Sequence, residues 1–273
     1  MAYNSPTGNI RETVCPIWVR DGRRPGYEVF GSSVLCGIGE DIFIVSAAHV
    51  LNVSATGDIF IGFPSGFMEI VDTPFVTQNP SHDHVDVGFI RLNAQAANVI
   101  RKHYGILPLG WMTVEDGSTA GLPYRVFGTP STKVKRRAKT FSPNFTDLLL
   151  FSHPAEKYEQ LGLETDRHIA LEFARDRMLT PQKRQITAPD PRGMSGSPVW
   201  KLIQTEQGGK PVSTFRLAGI LTEYRRPKKS LVATRISAVL EGIRFKCPAL
   251  AHLIPGNLEI PILCREVNQP NKL

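Results

Sequence analysis

The chain has 273 residues and a mass of 30.2 kDa, which fits one large all-β domain or two smaller ones. Apolar residues make up 41% of it, a globular composition that excludes global disorder. Its net charge of +7 attracts polyanions without specificity. No run approaches the roughly 18 apolar residues of a membrane span, and the amino-terminal residues do not resemble a signal peptide. We therefore expect a cytoplasmic protein without a membrane partner.

Four cysteines lie far apart, and no pair has the spacing of a metal site. Without a secretory signal to favour disulfides, the sequence predicts buried free thiols, and a structural bridge is the alternative because their number is even. We expect neither a metal nor a cofactor. The cysteines are Cys15, Cys36, Cys247 and Cys264.

Short β-rich runs follow one another along the chain, separated by many of its 23 glycines and 21 prolines. This texture is typical of an all-β protein built as a sandwich or as barrels. The glycines within 37–41 supply the positive φ values of a hairpin turn. The predicted strands are 14–19, 29–36, 42–47, 58–63, 87–92, 124–127, 148–151, 168–173, 214–222 and 231–236.

Helical patterns are sparse and are limited to 94–102, 155–161 and 237–244. The last segment, 246–273, contains four prolines, which interrupt both helices and strands. We expect it to form an irregular extension that packs against the body of the protein.

Three segments each place a reactive side chain at the end of a strand-like apolar run. His49 follows two alanines after the run 42–46, and Asp86 precedes the run 87–90. A buried carboxylate in that place needs a partner. Ser195 lies in Gly-Met-Ser-Gly-Ser-Pro, where the flanking glycines permit a tight turn that exposes the hydroxyl and directs backbone N–H groups at one point.

These segments resemble the signatures of the trypsin-like (chymotrypsin-fold) serine proteases, which are Ala-Ala-His, an Asp before an apolar strand, and Gly-x-Ser-Gly-x-Pro. Their order along the chain also matches. Two later runs, 217–222 and 232–236, are similar to the strand that lines the family's substrate cleft and to the strand that enters its C-terminal helix. The resemblance covers about 10–245 and suggests a bacterial intracellular branch of the family.

The resemblance implies an all-β fold of two six-stranded antiparallel β-barrels with a short C-terminal helix. Barrel one is expected at about 10–118 and barrel two at about 119–245, followed by the extension 246–273. His49 and Asp86 then come from the first barrel, and Ser195 comes from the second.

The roles that the family assigns carry over to matching positions. Ser195 is the nucleophile, and His49 is the general base that later protonates the leaving amine. Asp86 holds the imidazole in the correct tautomer. The backbone N–H groups of Gly193 and Ser195 form the oxyanion hole.

The resemblance also locates a substrate pocket. Asp190 and Glu223 favour a Lys or Arg before the scissile bond, whereas Tyr224 and Leu231 favour a narrower pocket for small apolar side chains. We adopt the basic preference as the prediction. The family places a hydroxyl beside the buried acid at the position of Thr222. The pocket residues are expected to be Pro189, Asp190, Thr222, Glu223, Tyr224 and Leu231.

Several positions depart from the family pattern. Val50 stands where secreted animal members have a cysteine, so that disulfide is absent. Ser197 also occurs in the glutamate-specific bacterial branch, but 221–224 lacks that branch's histidine, so glutamate specificity is not implied. Met194 replaces the acid that pairs with a newly cut amino terminus in secreted relatives. A thioether cannot pair with a buried ammonium group, so we expect no need for amino-terminal processing.

Other polar clusters have simpler interpretations. His82, Asp83 and His84 are interpreted as a solvated loop rather than a metal site. Asp83 is the rival for the triad acid, but Asp86 directly abuts the apolar run. The basic runs 133–139 and 225–229 are typical of solvated hairpins, with contact to nucleic acid as the alternative.

The sequence therefore predicts a serine endopeptidase that acts on a protein substrate, with one specific partner and a bacterial processing or defence role as the narrower hypothesis. The alternative from a different class is a protease-like scaffold that serves binding, with its basic hairpins as a nucleic-acid contact. Labelling by a serine-reactive probe distinguishes the two.

Overall fold

The computed structural model describes residues 10–20, 26–78, 84–114, 120–131, 135–137, 140–142, 145–179, 185–207, 210–255 and 262–268. Two curled antiparallel sheets dominate this part of the chain. Asp83, the rival acid, lies outside the described residues, as does most of the basic run 133–139. Across the described ranges, no helix combines the length and the apolar character needed to cross a membrane.

The first sheet has nine strands, in the order β19-β6-β7-β3-β2-β1-β4-β5 with β8 beside β2. Their bounds are β1 Val14–Arg20, β2 Tyr27–Ile38, β3 Asp41–Ala47, β4 Ile59–Phe63, β5 Gly66–Ile70, β6 Pro74–Thr77, β7 Val87–Arg91, β8 Leu107–Pro108 and β19 Cys264–Glu266.

The second sheet has six strands, in the order β12-β9-β16-β17-β18-β13. Two short hairpins, β10–β11 and β14–β15, accompany it. The bounds are β9 Pro123–Gly128, β10 Lys135–Arg137, β11 Thr140–Ser142, β12 Thr146–Phe151, β13 His168–Glu172, β14 Met178–Leu179, β15 Gln185–Ile186, β16 Pro198–Gln207, β17 Lys210–Arg225 and β18 Ser230–Arg235.

Four of the α-helices in the described ranges join or cover the sheets. The Asn93 side chain caps the second of them by accepting a hydrogen bond from the Ala96 N–H. The N–H groups in the first turn of a helix otherwise have no partner within the helix. The helices are α1 Ala48–Leu51, α2 Ala94–His103, α3 Ala155–Leu161 and α4 Ile236–Lys246.

The first sheet differs from the expected six strands because short segments extend it. The carboxy-terminal segment supplies β19, which pairs antiparallel with β6, so the region predicted as irregular contributes one strand to the sheet. The predicted hairpin turn between β2 and β3 contains Gly39, whose φ of 59° is accessible to glycine at little cost.

One hydrophobic core joins the two sheets. It combines residues of the first sheet with α4 and with Trp200 and Leu217 of the second sheet. Trp200 is fully buried. Because burial of apolar surface drives this packing, the two sheets cannot separate without exposing a shared core.

Gly242 in α4 sets how closely that helix lies on the first sheet. A Cβ at this position would meet Cys264 Sγ at 2.9 Å and Phe89 at 3.2 Å. We expect Gly242→Ala to lower the free energy of unfolding by about 1–2 kcal/mol, because overpacking outweighs the gain of about 1 kcal/mol in helix propensity. Urea unfolding measures the difference.

A double-mutant cycle with Cys264→Ala supplies the control, since removing Sγ relieves the closest contact. Gly242→Ala should then cost less in the Cys264→Ala background. A stabilising effect of Gly242→Ala in the unmodified chain would contradict this packing.

Candidate active site

Strand pairing brings His49 and Asp86 together. In the antiparallel pair β3–β7, Ala47 lies opposite Val87. One step further, the Ala48 N–H donates to the backbone carbonyl of Asp86 over 3.1 Å. His49 and Asp86 therefore leave the sheet at the same end because the register of the two strands places them there.

Both carboxylate oxygens of Asp86 bind His49. Oδ2 lies 2.5 Å from Nδ1 of the ring, and Oδ1 accepts the backbone N–H of His49 over 3.0 Å. The Asp86 side chain is 16% exposed and that of His49 48% exposed. The Asp86 N–H also donates to Thr234 Oγ1. With Nδ1 directed at the carboxylate, Nε2 is the ring nitrogen left for the cleft.

Two successive β-turns present Ser195. The Met194 N–H donates to the Pro191 carbonyl, and the Ser197 N–H donates to the Met194 carbonyl, each over 2.9 Å. Gly193 and Gly196 occupy the third position of the two turns, with φ of 85° and 88°. A type II turn requires positive φ at that position, which explains glycines three residues apart.

The first sheet approaches this turn without room for a side chain. A Cβ on Gly196 would lie 1.9 Å from the Ser32 carbonyl oxygen, and one on Gly31 would lie within 3.0 Å of both Val50 and the Ser195 carbonyl oxygen. Since Val50 follows His49, this contact places Ser195 beside the helix that carries the histidine.

The Ser195 hydroxyl donates to the Thr222 carbonyl over 3.4 Å. Among the described residues it forms no hydrogen bond with His49. Rotation about its side-chain bond changes the partner of a serine hydroxyl at little cost. Catalytic hydrogen bonds are often longer before substrate binds.

The two backbone N–H groups expected to form the oxyanion hole donate to no group in the described part of the chain. These are the N–H groups of Gly193 and Ser195. The carbonyl of Arg192 instead accepts the Ser131 N–H over 2.8 Å. The Arg192 carbonyl and the Gly193 N–H belong to the same peptide group. In a trans peptide the C=O and N–H point in opposite directions, so the Gly193 N–H points away from Ser131.

A cavity of about 280 Å³ adjoins Ser195. Four of the residues predicted for the pocket line it, and four further residues were not predicted. The alternation of side chains along β17 could have indicated Leu221 as a lining residue, because it lies two residues before Glu223. Arg226 lies in the basic run 225–229, which by itself predicts a solvated hairpin. The lining is Asp190, Pro191, Arg192, Ser195, Leu221, Glu223, Tyr224, Arg226 and Leu231.

Pro189 and Thr222 are not part of that lining. Pro189 lines a separate groove on the second sheet, because Ala188 is bound on that side through two hydrogen bonds with Arg175. The Thr222 hydroxyl donates to the Val232 carbonyl and not to Asp86. Thr222 lies at an irregularity in the β17–β18 register, and the threonine hydroxyl bound to Asp86 belongs to Thr234.

Both carboxylates of the pocket are already paired. Asp190 accepts the Arg192 N–H over 3.1 Å and lies 3.9 Å from its guanidinium. Glu223 binds Arg225 Nε over 2.7 Å. Arg225 also donates to His84 Nδ1 over 3.2 Å. Because Arg225 is the largely buried partner, at 14% exposed, it fixes the position of the Glu223 carboxylate.

No group of three or more potential metal ligands occurs in the described ranges. The four cysteines are free and buried. Burial raises the pKa of the Cys15 thiol to about 12 and that of Cys264 to about 11. These thiols therefore stay protonated near neutral pH and are poor nucleophiles.

A comparison with one solved structure supports the fold. No protein-family model and no curated protein matches the chain. The atomic-resolution structure of HBP matches with a TM-score of 0.50 and 13% identity, covering 90% of this chain and 93% of its own. Neuropsin, a serine protease expressed in the limbic system of mouse brain, matches with a TM-score of 0.48 and 16% identity, covering 83% and 90%.

The chain thus has a chymotrypsin-like fold, as the sequence predicted. At this level of identity the likeness shows the fold alone. Any activity must be argued from the residues of the site.

The bond between His49 and Asp86 has a signature that does not depend on activity. We expect a proton resonance far downfield of the amide region for Nδ1–H of His49, because a hydrogen bond of 2.5 Å to a carboxylate strongly deshields the proton. Asp86→Asn should remove that resonance. Asp41→Asn, which loses only a surface pair with Arg91, should keep it, and persistence in Asp86→Asn would contradict the assignment.

Proposed function

We propose that this protein is a serine endopeptidase that hydrolyses peptide bonds through an acyl-enzyme. The observation that carries the proposal is the His49–Asp86 pair, set beside a serine that two glycine turns present at the edge of a cavity. A histidine oriented by a carboxylate, next to an accessible serine, is the arrangement that activates a hydroxyl for acyl transfer.

In the proposed reaction, Ser195 Oγ turns from the Thr222 carbonyl to His49 Nε2 and attacks the scissile carbonyl carbon. Its proton passes to Nε2, and Asp86 stabilises the imidazolium. The substrate oxygen, now negative, accepts the N–H groups of Gly193 and Ser195. Collapse of the intermediate transfers the proton from Nε2 to the leaving amine, and water repeats the sequence to release the acid.

The triad assignment predicts losses of turnover without unfolding. Ser195→Ala and His49→Ala should each lower kcat by roughly 10⁴- to 10⁶-fold because triad members act as a unit. Asp86→Asn should lower it by about 10⁴-fold by favouring the wrong tautomer. A fluorophosphonate probe, applied to the intact chain without prior cleavage, should label the unmodified protein and not Ser195→Ala.

Ser197→Ala is the matched control, since Ser197 is a buried serine two residues away and should leave labelling intact. Absence of labelling in the folded, unmodified chain would favour the alternative of a protease-like binding scaffold. If labelling appears only after removal of amino-terminal residues, the loop of Gly193 depends on processing.

The charges around the pocket argue for an uncharged side chain before the scissile bond. Arg192 and Arg226 balance Asp190 and Glu223 in the lining, and Arg225 adds a further positive charge behind Glu223. A cationic side chain would therefore lose its hydration without meeting net negative charge. We propose an uncharged preference in place of the basic preference that the sequence suggested.

Arg225 is the residue that tests this proposal. Arg225→Met retains much of the apolar stem and releases the Glu223 carboxylate into the pocket. We expect the ratio of kcat/KM for Lys over Leu before the scissile bond to rise by about tenfold, equivalent to about 1.4 kcal/mol. Profiling on a peptide library measures the ratio.

Glu223→Gln in the Arg225→Met background should cancel the gain, because the released charge is then absent. Arg226→Gln controls for the loss of any arginine near the pocket. We expect it to change the ratio of kcat/KM for Lys over Leu by less, because the Arg226 side chain is exposed. A Lys or Arg preference in the unmodified protein would contradict the proposal.

We further propose that the substrate is a protein in a reducing compartment. Four free, buried cysteines in the described residues suit conditions in which thiols persist. Sequencing of new protein termini in cells that express the unmodified chain or Ser195→Ala would identify substrates and show whether one partner dominates.

A further inference from the structure

Ser32 in β2 is bound to the turn that carries Ser195. Its side chain is fully buried, and its Oγ donates to the Gly193 carbonyl over 3.0 Å. The Ser32 N–H donates to the Ser195 carbonyl over 2.8 Å. The same Oγ accepts the N–H of Thr129, the residue that follows β9 of the second sheet, over 3.2 Å. One residue of the first sheet thus binds both ends of the Gly193–Ser195 segment.

These bonds determine which way the peptide groups face. The Arg192 carbonyl is bound by Ser131, and the Gly193 carbonyl is bound by Ser32. Each peptide is planar and trans, so binding its carbonyl fixes the opposite direction of its N–H. The peptide held by Ser131 carries the Gly193 N–H, and the peptide held by Ser32 carries the Met194 N–H. Rotation of either peptide would break a hydrogen bond and leave a polar group unpaired.

Glycine makes that rotation easy in the absence of such bonds, because Gly193 adopts positive and negative φ with similar energy. The neighbouring Met194 has no charge to hold the turn and is anchored by burial among hydrophobic residues of the second sheet. Burial of a side chain fixes the position of a residue but leaves the direction of an adjacent peptide group undetermined. The hydroxyl of Ser32 holds the peptide that follows Gly193, and Ser131 holds the peptide that precedes it.

We infer that Ser32 is a positioning residue whose hydroxyl holds the peptide that follows Gly193, and so fixes the backbone from which the Gly193 N–H is directed at the developing oxyanion. This inference rests on the proposed peptidase function. It predicts that loss of the Ser32 hydroxyl weakens stabilisation of the transition state more than binding of the substrate.

The test compares Ser32→Ala with Ser33→Ala. Ser33 is also fully buried, and its hydroxyl donates to the Cys15 carbonyl on the other face of β2, since successive side chains of a strand alternate. Each variant loses one buried hydroxyl with a backbone acceptor. The measurements are kcat and KM on a peptide substrate, affinity for a peptide aldehyde as a transition-state analogue, and thermal unfolding.

For Ser32→Ala we expect kcat and aldehyde affinity to fall in parallel by about 10- to 100-fold, somewhat less than loss of an entire oxyanion donor, with KM nearly unchanged. Ser33→Ala should show comparable destabilisation and near-normal kcat. Equal kcat losses in the two variants, or a loss in KM alone, would overturn the inference.

If Ser32→Ala does not fold, Ser32→Gly and Ser32→Cys give the same comparison, because neither retains a strong hydroxyl donor and both avoid added bulk.

The outcome also distinguishes failure of this inference from failure of the proposed function. An unmodified protein that neither cleaves peptides nor reacts with a fluorophosphonate overturns the proposed function and this inference together. An active protein with an unaffected Ser32→Ala overturns this inference alone.

Discussion

The close approach of β2 to the Ser195 turn is the constraint on which the rest of the site depends. Backbone meets backbone there: a Cβ on Gly196 would overlap the Ser32 carbonyl oxygen of the first sheet, and one on Gly31 would overlap Val50 and lie 3.0 Å from the Ser195 carbonyl oxygen. Gly128 crowds the same turn from within the second sheet, since a Cβ on it would overlap the Ser197 hydroxyl. Any larger residue would force the sheets apart, and the site is divided between those sheets, so glycine here is a geometric requirement.

Electrostatics imposes the second requirement, because the acid of the site is largely removed from water. A partly buried carboxylate is costly unless it is hydrogen-bonded. Asp86 meets this requirement through two bonds to His49. Its backbone N–H is bound to Thr234 of the second sheet, so the position of Asp86, like that of Ser195, depends on contact between the sheets.

The sequence predicted those parts of the structure whose signals are local. Strand patterns located His49 and Asp86 correctly at the ends of β3 and β7, and glycine spacing indicated the turn at Ser195. Partners across long separations were not predictable. Nothing near Ser32 in the sequence shows that its hydroxyl meets Gly193, and nothing near Pro189 shows that hydrogen bonds at Ala188 hold the chain toward another groove. A family resemblance transfers positions along the chain but not side-chain partners.

Arg225 links the residues directly before Asp86 to the wall of the pocket. His84 adopts a φ of 55°, a left-handed conformation that costs a non-glycine residue about 1 kcal/mol or more. Its Nδ1 accepts a hydrogen bond from Arg225, and the same guanidinium binds Glu223. The guanidinium whose hydrogen bond offsets the strain at His84 is therefore the one that pairs with the pocket carboxylate. A charge placed in the pocket would compete for Arg225, and through Arg225 it would act on the residues that directly precede Asp86.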